Sequence, residues 1–188
     1  MFIPTIQEST SNGEKVYDIY SKLLENRIIF INGEINDNLS NLVISELLYL
    51  NSINHNDIDM YINSPGGSVT SGLAIIDTMN YIKSDVRTTV IGMAASMASL
   101  ILASGTKGKR SSLKNSEVMI HQPLGNTSGQ ATDIEIQAKR IINKKKMLNK
   151  MLSSLTKQPL EVIEKDTERD KYLSSKEALE YGIIDEII

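Results

Sequence analysis

The sequence predicts an α/β domain whose strands are mostly parallel or joined by crossovers. Three observations carry this. Short β-rich runs alternate with segments of helical period, glycine and proline turns separate them, and the length suits one domain. At 188 residues the chain can bury a real core without disulfides or metal staples.

After a polar leader, Val16, Ile19, Tyr20, Leu23 and Leu24 recur at helical spacing. Arg27 to Ile31 is a short β-rich run, and Leu39, Leu42, Val43, Leu47 and Leu50 mark a second helix. Ile58 to Ile62 reads as a strand that ends in the turn Asn63-Ser64-Pro65-Gly66-Gly67-Ser68. Val69 to Ile82 returns to helical period and Val86 to Ile91 is strand. Ser96 to Ser104 is a helix of small residues that Gly105 can cap. Val118 to His121 is strand again, and Gly125 to Gln130 is flexible. Thr132 to Glu135 has capping-box spacing, and a long helix follows to about Leu155. Ser174 to Glu177 repeats that start signal, with Gly182 as the stop. A long helix projecting from an α/β core looks like an assembly element. The whole chain, 1–188, is therefore expected to be one domain, with no internal repeat or low-complexity tract.

Composition narrows the chemistry. Zero Cys removes disulfide scaffolds, zinc ribbons and thiol nucleophiles, and two His leave little room for an HExxH type of zinc site, a motif that does not occur. Twenty basic against 23 acidic residues give a net charge of −3, which argues against a general nucleic-acid binder. The leader Met1 to Ser11 lacks the pattern of a secretory signal. The apolar stretch Val90 to Ala103 is too short and too interrupted to span a bilayer. A soluble, cytoplasmic protein without membrane contact is expected.

Ser96 opens its helix directly after a strand. A Ser there is most often an N-cap; the alternative is a nucleophile whose oxyanion meets helix N–H groups. The surroundings do not form the GxSxG elbow. His121 ends an apolar strand where it emerges from the core, whereas His55 lies in a polar loop. If a histidine acts as general base, His121 is the candidate. Gly66-Gly67 reads either as a tight strand-to-helix turn or as half of an oxyanion hole, with the Met97 N–H as the other half. The basic stretch between Ile136 and Leu160 (Lys139, Arg140, Lys144, Lys145, Lys146, Lys150, Lys157) contains no acid and reads as a solvated helix face. The carboxylates from Glu161 to Asp170 are mixed with cations and lack EF-hand spacing.

Together, several stretches resemble the ClpP family of serine peptidases, the Clp protease proteolytic subunits. They are Tyr61 to Ser68, Gly92 to Met97, Met119 to Gly125, Gly129 to Thr132 and Asp166 to Asp170, and the likeness runs from Ile3 nearly to the C-terminus. The resemblance implies a crotonase-like fold with repeated ββα units and a projecting handle at 123–155. Residues 1–20 would form the axial loop and first helix. It implies a nucleophile at Ser96, a base at His121, an orienting carboxylate at Asp170 and oxyanion donors at Gly67 and Met97. It implies two stacked seven-membered rings, with Arg169 and Gln130 at the ring interface. It also implies an AAA+ unfoldase docked in a groove that includes Tyr61, Tyr81, Ile91 and Ile188, with no cofactor needed for cleavage.

The chain departs from that pattern in places. Ala98 stands where the family usually has Gly, Lys114 replaces a usual Pro, and Asn126 a usual Gly. Asp59, Thr89 and Ser111 occupy groove positions that are commonly apolar, where a charge and two hydroxyls would weaken an apolar dock. The expected function is an ATP-dependent serine endopeptidase subunit acting on unfolded polypeptides. The rival is a paralogous structural subunit of a mixed assembly, active only with a partner isoform. An acyl-CoA enzyme of the related fold is a more distant third.

Overall fold

The computed structural model describes residues 3–10 and 13–188. The expected axial segment includes positions 1, 2, 11 and 12, which lie outside the described residues.

The leader is more ordered than its polarity suggests. Strands β1 (Thr5–Thr10) and β2 (Gly13–Asp18) pair antiparallel, so Val16 faces Gln7 in a hairpin. The helix expected from Val16 therefore begins later, as α1 (Ile19–Glu25), because Asp18 caps it by accepting the Ser21 N–H at 2.9 Å.

A sheet of β3 (Ile28–Asn32), β4 (Ile58–Ser64), β5 (Val86–Ala95), β6 (Arg110–Ser112) and β9 (Glu186–Ile187) runs parallel in that order. Helices α2 (Asp37–Ile53), α3 (Val69–Tyr81) and α4 (Met97–Ala103) link its strands. Ile31, Val43, Leu47, Ile58, Met60, Ile62, Ile75, Val90 and Ile101 are fully buried between these elements. With seven helices among the described residues and a mostly parallel sheet, the architecture is the expected α/β class.

β5 changes neighbours along its length. Thr88 to Val90 pair with β6, while Met93 to Ala95 pair with β7 (Glu117–Ile120). Gly92, with φ of +83°, lies at the change, where its N–H donates to Ser116 Oγ at 3.0 Å. β7 then pairs antiparallel with β8 (Lys171–Ser174).

Helix α5 (Ala131–Thr156) buries only Leu148, Asn149, Leu152 and Thr156, so its N-terminal part projects from the body. The expected capping box at Thr132 is absent. The helix starts at Ala131, which puts Thr132 inside the first turn, and Glu135 pairs with Lys139 instead. The second capping box is present: Ser174 and Glu177 cap α7 (Ser175–Tyr181), and Gly182 closes it. Gly105 does not cap α4; Ser104 does, in right-handed conformation. β6, β8, β9 and α6 (Leu160–Asp166) had no counterpart in the sequence reading.

A buried ion pair fastens the C-terminal segment. Arg110, 1% exposed, meets Asp185 through Nε at 2.8 Å and Nη2 at 2.7 Å. Its Nη1 reaches the Ala103 and Leu155 carbonyls. Burial alone would raise the Asp185 carboxyl. The hydrogen bonds and charge of Arg110 outweigh it and hold the group well below the usual carboxylate range. A depressed folded pKa gives stability that is present above the unfolded pKa and lost as pH falls toward the folded one. Asp185→Asn should leave the guanidinium buried without its counter-charge and cost about 3 kcal/mol in urea denaturation at neutral pH. A midpoint equal to that of the parent protein would contradict this.

Candidate active site

Three adjacent strands deliver the site. The β5–β7 register sets Ala95 beside Met119, and the next N–H, that of Ser96, donates to Met119 O at 2.8 Å. The antiparallel β7–β8 register sets Ile120 opposite Lys171, so the next positions outward, His121 and Asp170, face each other. His121 Nε2 lies 2.7 Å from Ser96 Oγ, and His121 Nδ1 lies 2.9 Å from Asp170 Oδ1. The imidazole side chain is 13% exposed and the Asp170 side chain 55%.

Ser96 sits at the N-cap position of α4, yet its side chain makes no capping bond. The plain N-cap reading therefore does not describe it; the hydroxyl is turned to His121. Its backbone, φ +56° and ψ −120°, is one of three non-glycine positive-φ conformations among the described residues. Such geometry costs on the order of 1–3 kcal/mol and persists only where the surroundings enforce it. Here they do. Ser99 Oγ donates to Ser96 O at 2.6 Å, all of α4 is buried, and Met97 packs into the space left by Gly72.

The turn before α3 closes over this point. A Cβ on Gly66 would lie 2.7 Å from Ser96 Cβ and 3.0 Å from Met97 N, so the close approach requires glycine. Gly67, with φ of +147°, bridges to Ile35. In that bridge Ile35 N–H donates to Gly66 O and Ser68 N–H donates to Ile35 O. The bridge leaves the Gly67 N–H unused among the described residues. The Met97 N–H, at the first turn of α4, has no helical partner either. The Met97 N–H follows Ser96 directly, and Gly66 brings the turn that carries Gly67 against the same point. A fixed N–H dipole there can face an oxygen with developing charge.

Next to Ser96 is a narrow cavity of about 30 Å³, lined by Val69, Leu100, Ile120, Leu148 and Leu152 with Asn149 and Thr167. The sequence reading missed this pocket. Its signal was the spacing of Leu148 and Leu152, one turn apart on α5. Gln122 was missed too; its backbone N–H donates to Thr167 O at 2.6 Å and its Nε2 to Glu168 O at 2.8 Å.

The other expected positions take no part in the Ser96–His121–Asp170 relay and do not line the cavity beside it. Arg169 is exposed, and Gln130 precedes α5 without a side-chain cap. Tyr61, Ile91 and Ile188 belong to neighbouring strands or their ends, with Tyr61 stacked on Phe30. Tyr81 closes α3 and is 80% exposed. Asp59 pairs with Arg87 at 3.4 Å. The Thr89 and Ser111 hydroxyls are buried and bond to each other at 2.8 Å, so neither presents a free polar group. No cluster of potential metal ligands occurs among the described residues. No helix among them is long and apolar enough to cross a membrane.

Residues 11–188 match the family model described as Clp protease. That match carries the general character of a Clp-type serine peptidase, on a fold of the kind described above. The chain belongs to the Clp protease family.

Proposed function

We propose that this chain is the proteolytic subunit of an ATP-dependent Clp-type serine endopeptidase, with Ser96 as nucleophile, His121 as general base and Asp170 as orienting carboxylate. The observation that carries the proposal is the unbroken relay of 2.7 Å and 2.9 Å from Ser96 Oγ through His121 to Asp170. Ser96 Oγ attacks the peptide carbonyl while His121 Nε2 takes its proton. Asp170 holds the Nδ1–H tautomer and stabilises the imidazolium. The Gly67 and Met97 N–H groups receive the oxyanion. The imidazolium then protonates the leaving amine, and water hydrolyses the acyl-enzyme by the reverse sequence. No cofactor takes part in these steps.

The substrates are unfolded polypeptides, cut inside a barrel of two stacked heptameric rings in the cytoplasm. Support for assembly comes from Ile134, Ile136, Ile142 and Leu124, which are exposed on or beside the projecting part of α5. In this reading Arg169 and Gln130 lie at the ring interface. The groove of Tyr61, Tyr81, Ile91 and Ile188 receives an AAA+ unfoldase, which hydrolyses the ATP. One observation favours a second reading, a subunit of a mixed assembly that depends on a paralogous partner. The Asp59–Arg87 ion pair puts charge into a surface expected to be apolar. Native mass spectrometry separates the two, because an active homo-14-mer that binds unfoldase directly excludes the mixed assembly.

Ser96→Ala should lower hydrolysis of a fluorogenic peptide by at least about 10⁴-fold while particle size stays unchanged. Retained hydrolysis would refute the triad. The apolar lining beside Ser96 should favour substrates with an aliphatic residue on the acyl side of the cut. Such peptides should exceed aspartate analogues by about tenfold or more in kcat/KM.

A further inference from the structure

The basic stretch of α5 is not uniformly solvated. Lys144 Nζ donates to Thr70 Oγ1 in the first turn of α3 at 3.1 Å, while Lys145 Nζ meets the Glu168 carboxylate at 2.6 Å. These adjacent residues tie one point of α5 to both sides of the candidate site. Glu168 lies two residues before Asp170, in a short link between α6 and β8. That link is also held by Gln122, which bonds the Thr167 and Glu168 carbonyls. The hydrogen bond and charge of Lys145 pull the Glu168 carboxyl below its usual range.

Asp170 needs such support. Its side chain is more than half exposed, and among the described residues its carboxylate is hydrogen-bonded only by His121. We propose that Lys145 is a positioning residue. Through Glu168 it sets the link so that Asp170 Oδ1 stays on His121 Nδ1. The inference rests on the serine-peptidase reading above. A partly exposed ion pair of this kind contributes little to stability. A small displacement of an orienting group costs rate steeply.

The test uses the assembled full-length protein and a short fluorogenic peptide. Lys145→Ala should lower kcat about tenfold with KM changed by no more than about twofold. Its melting temperature and particle size should match the parent. Lys145→Arg should keep most of the rate. The swap Lys145→Glu with Glu168→Lys should recover most of what either single change loses. The proposal fails if Lys145→Ala keeps its kcat, if the loss lies in KM alone, or if the swap is no better than the single variants. Should Lys145→Ala not assemble, Lys145→Arg and the swap decide by the same criteria. A fully active Lys145→Ala beside an inactive Ser96→Ala overturns this inference alone. An active Ser96→Ala overturns the reading beneath it.

Discussion

The double pairing of β7 is the constraint on which the candidate site depends. On one side β7 accepts β5 in parallel register, and on the other it takes β8 antiparallel. Ser96, His121 and Asp170 each stand one position beyond the last paired residue of their strand. The two ladders thus set where the backbones of these three residues stand, and local contacts orient their side chains. A slip of one residue in either ladder turns a side chain to the opposite face of the sheet.

That arrangement requires β5 to serve two neighbours, and Gly92 makes it possible. The first part of β5, Thr88 to Val90, lies beside β6, where the buried Thr89 hydroxyl bonds to Ser111. The last part lies beside β7 and ends at Ser96. One ten-residue strand therefore serves both neighbours. Strain is confined to its end, where Ser96 adopts φ of +56°. The fully buried α4 and the glycine turn at Gly66 hold it there. The cost at one residue is small against the apolar burial that enforces it.

Much of this was legible in the sequence, for physical reasons. The helical period of 39–50 and 69–82 and the apolar run 58–62 correspond to α2, α3 and β4 because packing and pattern agree there. Ser96 and His121 stood out by their position at strand exits. Asp170 did not; only the family motif pointed to it, because β8 is four residues long with a single buried member. The hairpin of β1 and β2 was hidden for a related reason. Its few apolar residues fall on both faces, Ile6 opposite Tyr17 on one and Val16 on the other, so no one-sided alternation marks it and its register rests on backbone pairing. The Lys145–Glu168 contact joins residues 23 apart on different elements, and no charge pattern within one helix could reveal it.

The same lysines show why α5 is more than a protrusion. An exposed helix gains only about 0.3–0.5 kcal/mol from a pair such as Glu135–Lys139, so local contacts supply little of the order of its projecting part. Burial begins at Leu148, one turn beyond Lys144. Leu148 and Leu152 line the cavity beside Ser96, and Lys145 reaches the link that carries Asp170. The boundary between the anchored and the projecting part of α5 therefore coincides with its contacts to the site.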